Sequence, residues 1–311
     1  MRRWVIVLAC ALPASNLELG DAPPRPEVWA SLTTTPSRAD QIDLVLQSLL
    51  RQSFLPRTVT VRVTSEETLA IVHDRLGALG DAARAGNVDV RGELVEELGP
   101  ATKYPLDASS FGRLPDDAFV LIVDDDWAYS NRTIERLVAC LEREPTGQHV
   151  SCGFFVRPRY GTAPGYNSSC GRFTSLRYPL GYASNGLLFR KQALSGFGEF
   201  HRRLMRVQPA CTYVDDMSMS GFLHARGVAL RTAQRGAGDE RPRDLGGGKR
   251  GALRKTHDRG CENEACMRAV LEWIKNGTRI AGSSGSHRAP RVAAAGRPRP
   301  LSPIGSALSA G

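Results

Sequence analysis

The chain has 311 residues, 41% hydrophobic and 23% charged, with a net charge of +9. That length and balance allow one large domain or two small ones with a packed core, and exclude wholesale disorder, a collagen and a coiled coil. No apolar run reaches the roughly 18 residues of a membrane-spanning helix. The basic excess sits largely in a C-terminal stretch with Arg288, Arg291, Arg297 and Arg299, and in a Gly/Arg-rich stretch from Arg235 to Lys255. No RNA-binding aromatic motif, zinc-finger spacing or helix-turn-helix pattern accompanies it, so nucleic acid is not an expected partner.

Residues 1–20 read as a targeting segment: Met1-Arg2-Arg3 is a basic start, Trp4 to Pro13 is a short apolar run, and Ala9, Ala11 and Ala14 offer cleavage sites. A Pro-rich linker, 21–27, follows. Val28 to Leu32 predicts a strand, and Asp40 to Gln52 a helix, with apolar residues at Ile42, Leu44, Val45, Leu46, Leu49 and Leu50. Thr58 to Val63 predicts a second strand, and Ser65-Glu66-Glu67 opens a helix to about Leu79. Val88 to Val90 is a third strand candidate. Ala118 to Val123 is a continuous apolar run, as expected of a strand buried on both faces, and a helix follows from about Asn131 to Glu144. Alternation of strand and helix predicts an α/β fold with a mostly parallel sheet flanked by helices.

The second half reads as mixed. Strands are expected at Val150–Val156, Asn185–Phe189 and Val228–Leu230, and helices at Asp216–Arg226 and Cys261–Lys275. Gln234 to Gly251 reads as a mobile loop. A single domain is therefore expected over 28–280, divided into halves at 28–145 and 146–280, before a disordered basic tail at 281–311.

Seven cysteines are present, and loss of Cys10 with a targeting segment leaves an even number for pairing in an oxidising compartment. Spacing leaves the pairing open. Cys261 and Cys266 are near enough to close a small loop, Cys152, Cys170 and Cys211 are available to bridge loops, and Cys140 fits the core of a helix. Asn131, Asn167 and Asn276 each begin an Asn-X-Ser/Thr sequence. Together these point to the secretory pathway, either the Golgi or ER lumen or the exterior.

The chemistry is concentrated where the apolar run stops, at Asp124-Asp125-Asp126. Ligands of open α/β sheets bind at the carboxyl ends of the strands. Adjacent carboxylates repel unless a cation or hydrogen-bond donors compensate, and a hard divalent ion does so while completing its shell with substrate phosphates. A solvated acidic turn is the bland alternative. Asp215-Asp216 is a second acidic pair, at the start of an expected helix.

The segment Val120 to Tyr129 resembles the DxD segment of GT-A fold glycosyltransferases, and more specifically those of the family two-like group. Ala30 to Arg38, with the helix ending Ser48 to Ser53, is similar to that group's nucleotide-binding strand and helix. Gly99-Pro100-Ala101-Thr102-Lys103 and Cys211 to Ser220 resemble two further segments, in the same order. The resemblance covers about Val28 to Leu230. It implies a GT-A (Rossmann-like) fold and transfer of a sugar from a nucleotide diphosphate sugar, UDP-linked by expectation, to a hydroxyl on a glycan, protein or lipid.

Carried over, Asp126 and Asp124 would hold Mn²⁺ or Mg²⁺, with Asp124 also near ribose or sugar and Asp125 free to face either way. Thr33, Thr34 and Arg38 would line the nucleoside, Lys103 would meet the phosphates as a point charge, and Asn185 would meet sugar hydroxyls. His257 is a further metal candidate. Asp216 would take the acceptor's proton with Asp215 positioning it, the helix dipole keeping the carboxylate ionised. Two other classes compete: a metal-dependent phosphohydrolase, and a non-catalytic secreted Ca²⁺-binding or lectin-like domain. The phosphohydrolase pattern wants its acidic motif on the first strand, whereas here it follows the fourth.

Overall fold

The computed structural model describes residues 25–143, 150–154, 156–157, 167–168, 171–172, 178–245 and 259–276. The segments expected at 1–20 and 281–311, with His257 and Cys170, lie outside the described residues. The strands are β1 Val28–Thr33, β2 Thr58–Val63, β3 Asp89–Leu94, β4 Phe119–Ile122, β5 Trp127–Ala128, β6 Val150–Gly153, β7 Val156–Arg157, β8 Asn167–Ser168, β9 Gly171–Arg172, β10 Leu180–Gly181, β11 Leu187–Arg190, β12 Ala229–Thr232 and β13 Arg243–Asp244. The helices are α1 Ile42–Leu50, α2 Glu66–Ala85, α3 Ala108–Arg113, α4 Thr133–Glu142, α5 Lys191–Leu194, α6 Phe197–Val207, α7 Asp215–Ala225 and α8 Arg259–Lys275.

Seven strands form one sheet in the order β12-β6-β11-β4-β1-β2-β3. β4, β1, β2 and β3 are mutually parallel, whereas β11 runs antiparallel to both β4 and β6. The expected α/β architecture, a mostly parallel sheet flanked by helices, is therefore met, parallel in its first half and mixed in its second. Strand β4 explains why its sequence is unbroken apolar. Phe119, Leu121 and Val123 join one core with residues of α1, α2 and α4, while Val120 and Ile122 join the other with residues of α6, α7 and α8. A strand covered on both faces has no polar side to show.

Local signals account for most elements. In α1, Ile42, Val45, Leu46 and Leu49 are buried at helical spacing. In α2, the Ser65 hydroxyl accepts the Thr68 N–H at 3.2 Å, an N-cap followed by Glu66 and Glu67 in the first turn. Some outcomes differ from expectation, the short helices α3 and α5 among them. Helix α6 was not anticipated, although Phe197, Phe200 and Leu204 form its buried face. The described part of the expected mobile loop, 234–245, is tied down: β13 pairs with β5, and the Leu245 N–H donates to the Asp126 carbonyl at 2.9 Å, whereas 246–251 lie outside the described residues. Among the described residues no helix is long and apolar enough to cross a membrane.

Two disulfides are described. Cys140–Cys152 joins α4 to β6 across 12 residues, and Cys211–Cys266 joins the turn before α7 to α8 across 55. Cys140 is thus bonded rather than a free core thiol, and Cys266 reaches Cys211 instead of its near neighbour Cys261, because α7 and α8 pack side by side. At Gly221 of α7 a Cβ would come within 2.2 Å of Val270 on α8. Closing a 55-residue loop restricts the unfolded chain by about 4 kcal/mol. A Cys266→Ala variant is expected to lose about that much in urea unfolding of the oxidised protein; an unchanged midpoint would show that the bond contributes nothing.

His201 of α6 is fully buried, with Nδ1 3.0 Å from the Ser218 hydroxyl of α7. Burial lowers its pKa from 6.5 to about 4. Between those values the unfolded chain binds a proton that the folded chain refuses, so this group's contribution falls as pH falls. From pH 7 to pH 4 the stability of the wild type, relative to His201→Gln, is expected to drop by roughly 3 kcal/mol. A difference independent of pH in chemical denaturation would contradict this.

Candidate active site

β1 is the strand from which the chain leaves in two directions, to β2 on one side and later to β4 on the other. The carboxyl ends of β1 and β4 therefore border the crevice where a doubly wound sheet takes its ligand. Thr33 to Arg38 follow the first of these strands and Asp124 to Asp126 follow the second.

The acidic run is neutralised from within. Arg38 Nη2 lies 2.8 Å from Asp125 Oδ1, and Arg38 Nη1 lies 3.1 Å from Asp126 Oδ2. Lys103 Nζ lies 2.7 Å from Asp124 Oδ1 and 2.9 Å from Asp215 Oδ2. Arg38 and Lys103 thus meet the acidic cluster itself, where sequence reasoning had assigned them to nucleoside and phosphates. Asp125 is buried, and burial carries its pKa up to about 6 against the pull of Arg38 and the Thr34 hydroxyl. Asp126 is raised by burial and by Asp124, again against Arg38. Asp124 and Asp126 keep part of their side chains exposed, 28% and 24%. These two therefore face solvent and Asp125 does not.

Lys103 is held by its surroundings. The Ser31 hydroxyl of β1 donates to the Lys103 carbonyl at 2.6 Å. Buried Arg62 of β2 donates from Nε to the Thr102 carbonyl at 3.0 Å, and pairs with Glu93 and Asp107. Gly99 has φ +62°, and a Cβ there would fall 1.9 Å from the Thr212 carbonyl oxygen. Only glycine lets this turn rest on the segment leading into α7, and that contact brings Lys103 to Asp215. Burial alone would lower the lysine's pKa, but Asp124 and Asp215 carry it well above the ordinary value.

Asp215 and Asp216 open α7 and differ in environment. Asp215 is buried and paired with Lys103. Asp216 is half-buried, and its Oδ1 has no hydrogen-bond partner. Burial and Asp215 hold the Asp216 pKa well above the usual carboxylate range, Lys103 opposing them. The expectation that the helix dipole keeps this carboxylate readily ionised is thus corrected, because desolvation outweighs a partial charge at a helix end.

The remaining sequence candidates are distributed unevenly. Thr34 is buried beside Asp125. The Thr33 hydroxyl is spent on the Arg62 carbonyl at 2.7 Å, within the sheet. Asn185 lies in the turn Ala183–Asn185, whose Ala183 N–H opposes the rise of the Asp216 pKa. Sequence reasoning gave no role to Tyr129 or Arg62. The Tyr129 hydroxyl accepts the Asp124 N–H at 2.8 Å, fixing the backbone of the acidic run. Nothing local marks that duty, whereas a lone arginine in the otherwise apolar and hydroxylic Thr58–Val63 is a signal of a buried ion pair.

No protein-family model matches the chain, and no curated protein matches it in sequence. Among solved structures it is similar to S. aureus TarS, with TM-score 0.39 and 14% identity over 67% of this chain and 35% of that chain. It is similar to Francisella tularensis 2-C-methyl-D-erythritol 4-phosphate cytidylyltransferase, with TM-score 0.39 and 12% identity over 68% and 94%. It is also similar to the WbbM bifunctional glycosyltransferase, with TM-score 0.39 and 13% identity over 68% and 39%. The chain spans well under half the length of the TarS and WbbM chains. A TarS 1–349 structure holds UDP. The fold class stands on this chain's own sheet order, given above.

Proposed function

We propose that this chain is a metal-dependent glycosyltransferase that moves a sugar from a nucleotide diphosphate sugar, a UDP-sugar in the first instance, to a hydroxyl acceptor. The observation that carries the reading is the link made by Lys103. It joins the acidic run at the end of β4 to the acidic pair at the start of α7 in one site at the sheet's switch point.

Among the described residues no group of three His, Cys, Asp or Glu side chains is set out for a metal. A hard cation such as Mn²⁺ or Mg²⁺ can manage with one or two carboxylates, taking its other ligands from phosphates and water. Asp126 and Asp124, the partly exposed members of the run, fit that requirement and would hold it. When bound, the ion neutralises charge on the departing diphosphate. Arg38 holds Asp126 in place, and Lys103 holds Asp124 and Asp215. Asp216, half-buried at the start of α7, receives the proton of the attacking hydroxyl. Its raised pKa makes it a stronger proton acceptor than an ordinary aspartate, as general-base catalysis near neutral pH requires.

The test is thermal stabilisation by UDP with Mn²⁺, with Ca²⁺ or with EDTA, since a ligand that binds only the folded state stabilises it by RT ln(1 + [L]/Kd). A shift that needs UDP and Mn²⁺ together, and disappears in Asp126→Ala, is expected. A Ca²⁺ shift indifferent to UDP would overturn the reading in favour of a calcium-binding domain. We also propose residence in an oxidising compartment of the secretory pathway, which the two described disulfides support. Exposed Asn131 and Asn276, each in an Asn-X-Thr sequence, agree with it.

A further inference from the structure

The segment between β12 and β13 brings a cation to the rim of the site that the mechanism above leaves unused. Arg235 Nη2 donates to the Asn185 side-chain carbonyl at 3.1 Å, and its guanidinium carbon lies 5.0 Å from the centroid of the Phe154 ring. Asn185 is oriented in turn by its Nδ2, 3.2 Å from the Ser184 hydroxyl. A planar guanidinium set on an aromatic face and steadied through one nitrogen keeps its other N–H groups available to a ligand.

The acid closest in sequence is committed elsewhere. Asp239 lies 2.9 Å from Arg136 Nε and 3.5 Å from Arg132 Nη1, and accepts the Gly236 N–H at 2.6 Å. That clamp fixes the loop carrying Arg235 onto α4. Among the described residues no carboxylate forms an ion pair with Arg235, whose hydrogen-bond partner is a neutral amide. Burial, and then the like charge of Arg241 on the same loop, lower the pKa of Arg235, with Asp239 opposing them. Asp239 is engaged by Arg132 and Arg136 and reaches Arg235 only through space, so the two cations on this loop leave room for an anion.

Position favours the acceptor as its source. The donor's diphosphate belongs over the ends of β1 and β4, where Arg38 and Lys103 already stand. Arg235 instead bonds the turn Ala183–Asn185, whose Ala183 carbonyl lies 3.5 Å from the Tyr129 hydroxyl and whose Ala183 N–H acts on the Asp216 carboxylate. Resting on the glycosyltransferase reading, we infer that Arg235, with Arg241 beside it, forms an anion subsite that selects an acceptor carrying a phosphate or carboxylate near the attacked hydroxyl. The ligand class is thus an acidic or phosphorylated sugar.

The experiment is calorimetric titration of the full chain with UDP plus Mn²⁺, and, at saturating UDP and Mn²⁺, with glucose 6-phosphate, methyl glucuronide and neutral methyl glucoside. Arg235→Gln and the exposed-site variant Arg241→Gln are compared with wild type, circular dichroism confirming that each is folded. Loss of a charge-assisted hydrogen bond predicts about tenfold weaker binding of at least one anionic sugar to Arg235→Gln. The Arg241→Gln loss is smaller, UDP affinity stays within about twofold, and the neutral sugar binds wild type and variants alike.

Tenfold weaker UDP binding with the anionic sugars unaffected would assign the subsite to the donor diphosphate and overturn the inference. Equal binding of the anionic sugars by wild type and both variants, or their failure to bind wild type, would overturn it as well. The anionic sugars are also titrated without nucleotide. A wild type that ignores UDP but discriminates the anionic sugars through Arg235 would refute the nucleotide-sugar reading and leave the anion subsite standing.

Discussion

Replacement of Lys103 by methionine is expected to cost roughly 3–5 kcal/mol of stability at neutral pH, the range seen when one partner is removed from a buried ionic group. Methionine fills similar volume, so the loss is electrostatic rather than a cavity effect. Lys103 is 4% exposed and lies within 3 Å of carboxylates on two different segments. Without it the Asp124, Asp215 and Asp216 charges face one another at the sheet edge. The pH dependence identifies the cause. The Asp216 pKa is already raised and Lys103 is what opposes the rise, so in the variant it climbs further. A carboxylate raised in the folded state stabilises at pH below its unfolded value and loses that contribution as pH rises through its folded value. The deficit of Lys103→Met should therefore shrink as pH falls from 7 toward 4. Chemical denaturation at several pH values measures it, and a deficit constant with pH would point to packing instead. Lys103→Arg, which keeps the charge, should recover part of the loss.

Asp216→Asn is expected to lower kcat by about 10²- to 10⁴-fold, the usual contribution of a general base, while UDP affinity stays within about twofold. Its effect on stability should have the opposite sign. The Asp216 carboxylate is destabilising where it is charged, because burial and Asp215 raise its pKa well above ordinary. A neutral isostere removes that cost and should stabilise the protein at pH 7. The combination separates chemistry from structure. A merely structural helix cap would lose stability along with activity. Full turnover in Asp216→Asn would remove the base assignment. Asp215→Asn gives the contrasting pattern, since it breaks the ion pair with Lys103 and should lower stability and activity together.

What each level of description settles can be read from particular residues. Val28 to Leu32, Thr58 to Val63 and Ala118 to Val123 announce their strands because side-chain alternation and apolar continuity report which faces are covered. The Asp-Asp-Asp at the end of the last of these is legible as a candidate site, because charge at the carboxyl edge of a buried strand has no packing role to explain it. Helix α6 escaped notice because its interleaved arginines mask a face that only Phe197, Phe200 and Leu204 define. Those features are local, and the sequence by itself determined them.

Only the tertiary structure decided which cations answer the acids. Arg38 meets Asp126 across 88 residues, and Lys103 meets Asp124 across 21 and Asp215 across a still longer span. It likewise paired Cys211 with Cys266 rather than Cys261 with Cys266, buried Asp125 while leaving Asp124 and Asp126 partly open, and divided Asp215 from Asp216 into a paired and an unpaired carboxylate. The physical reason is one and the same. Periodicity along a chain encodes how each element meets its neighbours' surface, whereas ion pairing, desolvation and disulfide choice depend on which segments the packed sheet and helices bring within a few ångströms.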